Sequence, residues 1–424
     1  MDRLRIAGGH RLQGKVTIGG SKNASLPLMV ASLLAETPST LTNTPNLRDT
    51  ETMTLVLTKV GASVRFIGNQ LFIDPQHFSV AEAPYDMVRR MRASIYVMGP
   101  MLARLGHCRV SLPGGCAIGA RPIDLHLKGF ESLGVHISRD RGYIVAKHDG
   151  LRGAEFSLDG PAGSSVGATS NVLMAAVLAK GTTVMHGAAR EPEVVDLINF
   201  LNAMGAHIEG AGESTLTIEG VDRLRGVEYA VIPDRIEAGT YMAAAAVTKG
   251  DVLIENCEPS HLGAVIEKFR EIGVEVESEN GGLRVRSDGA FRPASIRTLP
   301  YPGFPTDLQA QFMVLAAVTP GVSTIVETIY PQRFMHAMEL VRMGAEINLT
   351  DGKALVEGVP QLSGAPVMAS DLRASAALVL AGLAAKDETE VLRVYHIDRG
   401  YEQIDEKLSA LGAQIERIGT PAMV

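Results

Sequence analysis

One short pattern, an aliphatic residue, glycine, a small residue, any residue and a second aliphatic, returns six times along the 424 residues of this chain. It reads Val60-Gly61-Ala62-Ser63-Val64, Leu133-Gly134-Val135-His136-Ile137 and Met204-Gly205-Ala206-His207-Ile208 in the first half. It returns as Ile272-Gly273-Val274-Glu275-Val276, Met343-Gly344-Ala345-Glu346-Ile347 and Leu411-Gly412-Ala413-Gln414-Ile415. A period of about 70 residues marks one supersecondary unit used repeatedly. Six such repeats fill the chain, so any fold must divide by them.

Each repeat reads as βαβαββ. A short strand comes first, as at Lys15 to Ile18, Glu155 to Leu158 or Glu228 to Ile232. An Ala-rich helix follows, expected near Ala24–Ala35, Ala93–Arg104, Ala168–Ala179, Ala238–Thr248, Leu308–Val318 and Ala374–Ala384. These helices lack a polar face and must be buried all round. A second strand, an amphipathic helix ending at the repeat glycine, and two closing strands complete the unit. The chain exceeds one ordinary core. Two α/β domains are expected, 1–21 with 230–424 and 22–229, each with three repeats, sheets outside and helices at the centre. Such domains have no sheet interior for a ligand, so the site is expected in the cleft between them.

Composition narrows the function. A net charge of −7 argues against nucleic acid or an anionic membrane as a bulk partner. The N-terminus lacks the apolar core of a signal peptide, and no run of apolar residues suggests a membrane span. Cys108, Cys116 and Cys257 form no C-x-x-C pair, and the histidines show no metal-ligand spacing. No disulfide framework, metal or cofactor is expected, and the chain reads as cytoplasmic.

Polar side chains gather where the apolar helices begin: Lys22-Asn23, Arg92, Ser165, Asp234-Arg235, Thr306-Asp307 and Asp371-Arg373. Ser165 and Asp371, taken singly, are expected as N-caps. Lys22, Arg92 and Arg373 oppose the helix dipole and need a compensating anion, the composition of a phosphate site. The loops before the second helices carry Arg48, Arg121, Arg190, Arg333 and Arg399; only the fourth, around Pro259-Ser260-His261, lacks an arginine. One of these loops, Pro113-Gly114-Gly115-Cys116-Ala117-Ile118-Gly119-Ala120-Arg121-Pro122, also holds a thiol. Glycines let backbone N–H groups approach an anion, and nearby cations lower a thiol's pKa. On its own that segment also reads as a small apolar residue in a turn. The recurrence favours a cationic cleft holding one thiol and one carboxylate, suited to transfer chemistry on a substrate with several negative charges.

At these residues the chain resembles the UDP-N-acetylglucosamine 1-carboxyvinyltransferases, enolpyruvyl transferases of the EPSP synthase superfamily, over essentially its full length. The most specific segments are Ser21-Lys22-Asn23-Ala24, Met91-Arg92-Ala93-Ser94, the Cys116 loop and Ala189-Arg190-Glu191-Pro192-Glu193. Phe304-Pro305-Thr306-Asp307-Leu308-Gln309-Ala310-Gln311, Asp371-Leu372-Arg373-Ala374-Ser375 and His396-Ile397-Asp398-Arg399-Gly400-Tyr401-Glu402 complete the set. The resemblance implies a two-domain inverse (inside-out) α/β barrel. It implies transfer of the enolpyruvyl group of phosphoenolpyruvate to the 3-hydroxyl of UDP-N-acetylglucosamine with release of phosphate, the first committed step of peptidoglycan synthesis.

The resemblance also implies roles. Cys116 would be the general acid at C3, able to form a covalent adduct and the target of fosfomycin. Asp307 would be the base. Lys22, Arg121 and Arg399 would anchor phosphoenolpyruvate, with Arg92 and Arg373 beside them. Arg121, Pro122, Ile123, Asp124 and Leu125, with Ser165, Val166 and Gly167, would hold the uridine diphosphate. Asn23, Asp307 and Ile329 would touch the sugar, and Asp371 belongs to the same substrate-binding set. Glu191 and Arg333 would organise the cleft. The segment Pro161-Ala162-Gly163-Ser164 lacks a lysine that some relatives carry. Three other readings are a shikimate-phosphate enolpyruvyl transferase, a non-catalytic sugar-nucleotide sensor and a cysteine hydrolase. The Cys-bearing loop argues against the first, the joint presence of Cys116, Asp307 and Lys22 against the second, and the lack of any motif-placed histidine against the third.

Overall fold

A computed structural model describes residues 2–89, 91–112, 123–161, 163–279 and 281–419. Its described residues form two compact units. One, the split unit, is made of 2–19 with 233–419; the other, the inserted unit, of 20–112 with 123–232. Each has its own apolar core, and no core cluster draws residues from both.

The repeat has one sheet topology throughout. In the third repeat, Glu155–Ser157 lies parallel to Thr182–His186. That strand pairs antiparallel with Thr215–Glu219, which pairs antiparallel with His207–Glu209 at the far edge. All six four-stranded sheets keep this order. A parallel pair needs a long crossover, and the apolar helix supplies it. Here that is Val166–Ala176, buried from Ala168 onward. In each unit the three crossover helices pack on one another, with the strands' alternating exposed positions turned outward.

The expected strand assignment is wrong at two places. Lys15–Ile18 and Glu228–Ile232 were read as heading the first and fourth repeats, and the structure exchanges them. Gln13–Thr17 pairs with Asp251–Glu255 of the fourth repeat, Val16 opposite Ile254. Glu228–Ala230 pairs with Ser39–Thr42 of the first, Tyr229 opposite Leu41. Each head strand is followed closely by a crossover helix, Lys22–Ala31 or Arg235–Val247, so local sequence looks the same either way. Which second strand receives the head is a long-range choice that no local pattern records. The chain changes units within the two segments that follow the head strands. A second departure closes the sixth repeat: its remaining strand is Arg3–Ala7, inserted between Glu388–Leu392 and Gln414–Ile418.

Burial of the crossover helices follows from their small side chains. Arg235–Val247 is buried at every position. A Cβ built on Gly239 would lie 2.4 Å from the Leu308 side chain, so that glycine sets a close helix approach. The helices start earlier than hydropathy suggests because polar residues cap them. Ser21 and Ser165 accept from Ala24 and Ala168, while Asp234 and Asp371 accept from two backbone N–H groups each. The six pattern glycines share one conformation. Gly61, Gly134, Gly205, Gly273, Gly344 and Gly412 have φ from 90° to 109°, each closing an outer helix where a Cβ would be strained.

Candidate active site

In the split unit the polar centre is Asp307, in the 3-10 turn Thr306–Leu308 ahead of the helix Gln309–Ala317. Arg333 Nη1 donates to its Oδ1 at 2.8 Å, and Arg373 Nε donates to its Oδ2 at 3.3 Å. Arg373 Nη2 lies 3.2 Å from the same oxygen, and the guanidinium also interacts with the Tyr401 hydroxyl. Burial alone would lower the Arg373 pKa; Tyr401, Asp307 and Asp234 outweigh it and hold the group charged. A buried charge of this kind is tolerable only when paired.

Further residues fix these groups. Arg333 Nη1 also donates to Thr306 Oγ1 at 2.9 Å, and that hydroxyl donates to Glu327 at 2.9 Å. Glu327, buried, accepts from Thr298 and from the backbone N–H groups of Ile329 and Tyr330, which sets the loop carrying Ile329. The guanidinium of Arg373 lies 5.4 Å from the Tyr401 ring, and the Tyr401 hydroxyl is 2.9 Å from Thr240 Oγ1. Asp371 accepts from the N–H groups of Arg373 and Ala374, the expected capping geometry. His336, buried nearby, is pushed down to about 4 by burial; Asp371 opposes that and Arg333 adds to it. Arg399 ends the 3-10 segment Val394–Arg399 and is half-buried; burial first, then its cation, lowers the pKa of His396.

In the inserted unit, Lys22 Nζ lies 2.9 Å from Oδ2 of the buried Asp49. The anion that Lys22 requires at a helix N-terminus is therefore supplied inside the protein, as Asp307 supplies it for Arg373. The helix opened by Lys22 and the half-buried Asn23 packs on the 3-10 segment Arg92–Val97 and on the helix begun by Val166 and Gly167. Ile123 is buried, Asp124 is exposed and opens the helix Asp124–Ser132, and Leu125 is half-buried. Glu191 precedes the helix Pro192–Ala203 and makes no side-chain cap bond there. Arg48 and Arg190 are exposed, the latter bonded to the Gly212 carbonyl. Cys116, Arg121 and Pro122 lie outside the described residues.

Sequence reasoning missed several supports. Asp49 follows Arg48 directly, and nothing local marks it as the partner of Lys22. Glu327 had no motif to mark it. His126 is buried beneath Gly167, whose added Cβ would lie 3.2 Å from its Nε2. The amide of Asn171 donates toward His126 Nδ1 at 3.1 Å and to the Ile95 carbonyl, while its oxygen accepts from Gly99 N–H. That set places the proton of a neutral His126 on Nε2. Cys108 and Cys257 are buried, their thiols raised mainly by burial to about 12 and about 11, so neither is a reactive thiol. Among the described residues no group of three or more His, Cys, Asp or Glu could hold a metal ion, and no helix is long and apolar enough to cross a membrane.

Enolpyruvyl transferases are among the solved structures with this fold. The crystal structure of the enolpyruvyl transferase NikO from Streptomyces tendae is 26% identical, with a TM-score of 0.89 over 99% of both chains. EPSP synthase from Acinetobacter baumannii, 20% identical with a TM-score of 0.76 over 99% of this chain and 100% of that one, shares the fold. The family model for EPSP synthase (3-phosphoshikimate 1-carboxyvinyltransferase) matches residues 6–408, and the chain belongs to that family. Among curated relatives, the UDP-N-acetylglucosamine 1-carboxyvinyltransferase of Granulibacter bethesdensis is 55% identical over 99% of this chain and all of the relative. The protein of that name from Desulfatibacillum aliphaticivorans is 52% identical with the same coverage.

Proposed function

We propose that the protein transfers the enolpyruvyl group of phosphoenolpyruvate to the 3-hydroxyl of UDP-N-acetylglucosamine, in the cytoplasm, as the first committed step of peptidoglycan synthesis. The observation that carries this is identity above half, over the full length, with relatives named for that reaction. Cys116 donates a proton to C3, making C2 electrophilic. The sugar hydroxyl oxygen bonds to C2 as Asp307 takes its proton. The C3 proton is then lost as the C2–O bond to phosphate breaks, restoring the double bond.

Lys22, Arg121 and Arg399 anchor phosphoenolpyruvate, whose phosphate gains charge as it leaves. The buried, charged guanidinium of Arg373 suits an anionic oxygen of the same substrate. Arg92 joins this cationic set. Asn23, Asp307 and Ile329 touch the sugar, Asp371 belongs to the same substrate-binding set, and Ile123, Asp124, Leu125, Ser165, Val166 and Gly167 hold the nucleotide. Arg333 reaches Asp307 directly and so orients the base.

The test incubates purified protein with phosphoenolpyruvate and either UDP-N-acetylglucosamine or shikimate 3-phosphate, measuring phosphate and product mass. Phosphate release with the sugar nucleotide alone is expected. Release with shikimate 3-phosphate alone, or tight nucleotide binding without turnover, would overturn the proposal.

A further inference from the structure

The strand Gln414–Ile418 pairs with Arg3–Ala7 so that Ile415 faces Ile6 and Arg417 faces Leu4. Both partners are fully buried core residues, which puts Arg417 on the inward face of its sheet. Alternation calls for an apolar residue there. What admits an arginine is a pair of carboxylates. Nη1 and Nη2 donate to Asp398 at 3.2 and 2.9 Å, while Nε and Nη2 donate to Asp405 at 3.2 and 3.1 Å. Planar two-pronged bonds of this kind fix orientation as well as distance.

The two carboxylates bracket the segment that carries Arg399. Asp398 is its immediate neighbour, and Asp405 lies in the helix Ile404–Ala410 just beyond. Between them the chain is irregular and Gln403 adopts left-handed backbone at φ 49°, as Arg393 does at φ 62° just before Val394–Arg399. Such residues hold that conformation only where surroundings enforce it. At Gly400 a Cβ would lie 2.6 Å from the Leu372 side chain, so the segment also rests on the helix that bears Arg373.

We propose that Arg417 is a positioning residue for Arg399: by clamping Asp398 to Asp405 it fixes the backbone from which Arg399 reaches phosphoenolpyruvate. This rests on the reading of Arg399 as a phosphoenolpyruvate anchor. Arg417 touches no substrate; its effect passes through the segment.

The experiment compares wild type, R417Q, R417K, R399K and R399K/R417Q, measuring kcat and KM for each substrate and the urea midpoint. R417Q is expected to raise KM for phosphoenolpyruvate about tenfold or more while leaving that for UDP-N-acetylglucosamine within about twofold, since a small displacement of an anchoring group is costly. R417K, which keeps the charge but not the fork, recovers part of the loss. In the double variant the two effects are less than multiplicative, because they act through one contact. Multiplicative effects, or parallel changes in both KM values, would overturn the positioning role alone. If R399K leaves the phosphoenolpyruvate KM unchanged, the anchor reading fails and the proposal with it. Should R417Q not fold, D405N, which loosens half the clamp, must give the same selective rise, and an unchanged phosphoenolpyruvate KM in D405N would overturn the proposal.

Discussion

Asp307 and Asp196 carry the same functional group in opposite settings. Asp307 is met by two guanidiniums. Asp196 is buried, accepts from the Tyr229 hydroxyl at 2.7 Å and, at longer range, from Ile232 N–H, and is raised to about 6, chiefly by burial. A carboxyl whose folded pKa lies above its unfolded value destabilises the fold when ionised. The penalty is absent below about pH 4 and complete above about pH 6. Asp196→Asn should therefore gain on wild type as pH rises through that window, by up to about 3 kcal/mol. Urea titrations at pH 4 and pH 7 measure the difference; a gap that does not widen refutes it. For chemistry, Cys116→Ala should lose most turnover, whereas Cys116→Asp, still a proton donor, should keep activity and escape fosfomycin. An alanine variant with full activity would refute the general acid. Lys22 and Arg373 were legible because cations are unusual at helix starts, and Asp307 because it stands in one of the motifs that carry the resemblance. Asp49, Glu327 and Arg417 were not, since the side chains that each one meets lie far along the chain, Lys22 for Asp49, Thr298 and Thr306 for Glu327, and Asp398 and Asp405 for Arg417.

Elements were more legible than their pairings. Caps and the pattern glycines are local, so helix ends could be read with an error of about one turn. Strand exchange is not local: Gln13–Thr17 and Glu228–Ala230 have equivalent surroundings in sequence, and only the sheets reveal which neighbour each takes. Close helix approach leaves a weak trace in sequence, as glycine within an apolar helix. Gly239→Ala should cost about 1–3 kcal/mol, because Leu308 must move out of a packed core. Chemical denaturation should show this as a lower midpoint with an unchanged m-value. A midpoint equal to wild type would mean that the helices separate freely.

For the whole molecule, the repeat count was readable from the period and the α/β class from the strand and helix signals within each repeat, while the place of the first strand was not. Arg3–Ala7 looks like an N-terminal leader strand, yet it is an interior strand of its sheet, bonded on both sides. Removing residues 2–8 should leave a gap between Glu388–Leu392 and Gln414–Ile418 and prevent the split unit from folding, with loss of its cooperative unfolding transition. Circular dichroism and calorimetry on the truncated chain measure this. A truncated protein with both units' transitions intact would refute it.

The exchanged head strands and the terminal strand also give the polypeptide a timetable. The inserted unit is complete once residue 232 has left the ribosome, so its core can close while synthesis continues. The split unit has to wait. Its first two strands emerge at the outset, but the partners of Gln13–Thr17 lie in the fourth repeat and those of Arg3–Ala7 at the far end of the chain. Until those partners are made, the nascent chain carries two strands with unpaired edges. That makes the N-terminal segment the stretch a chaperone has most reason to hold.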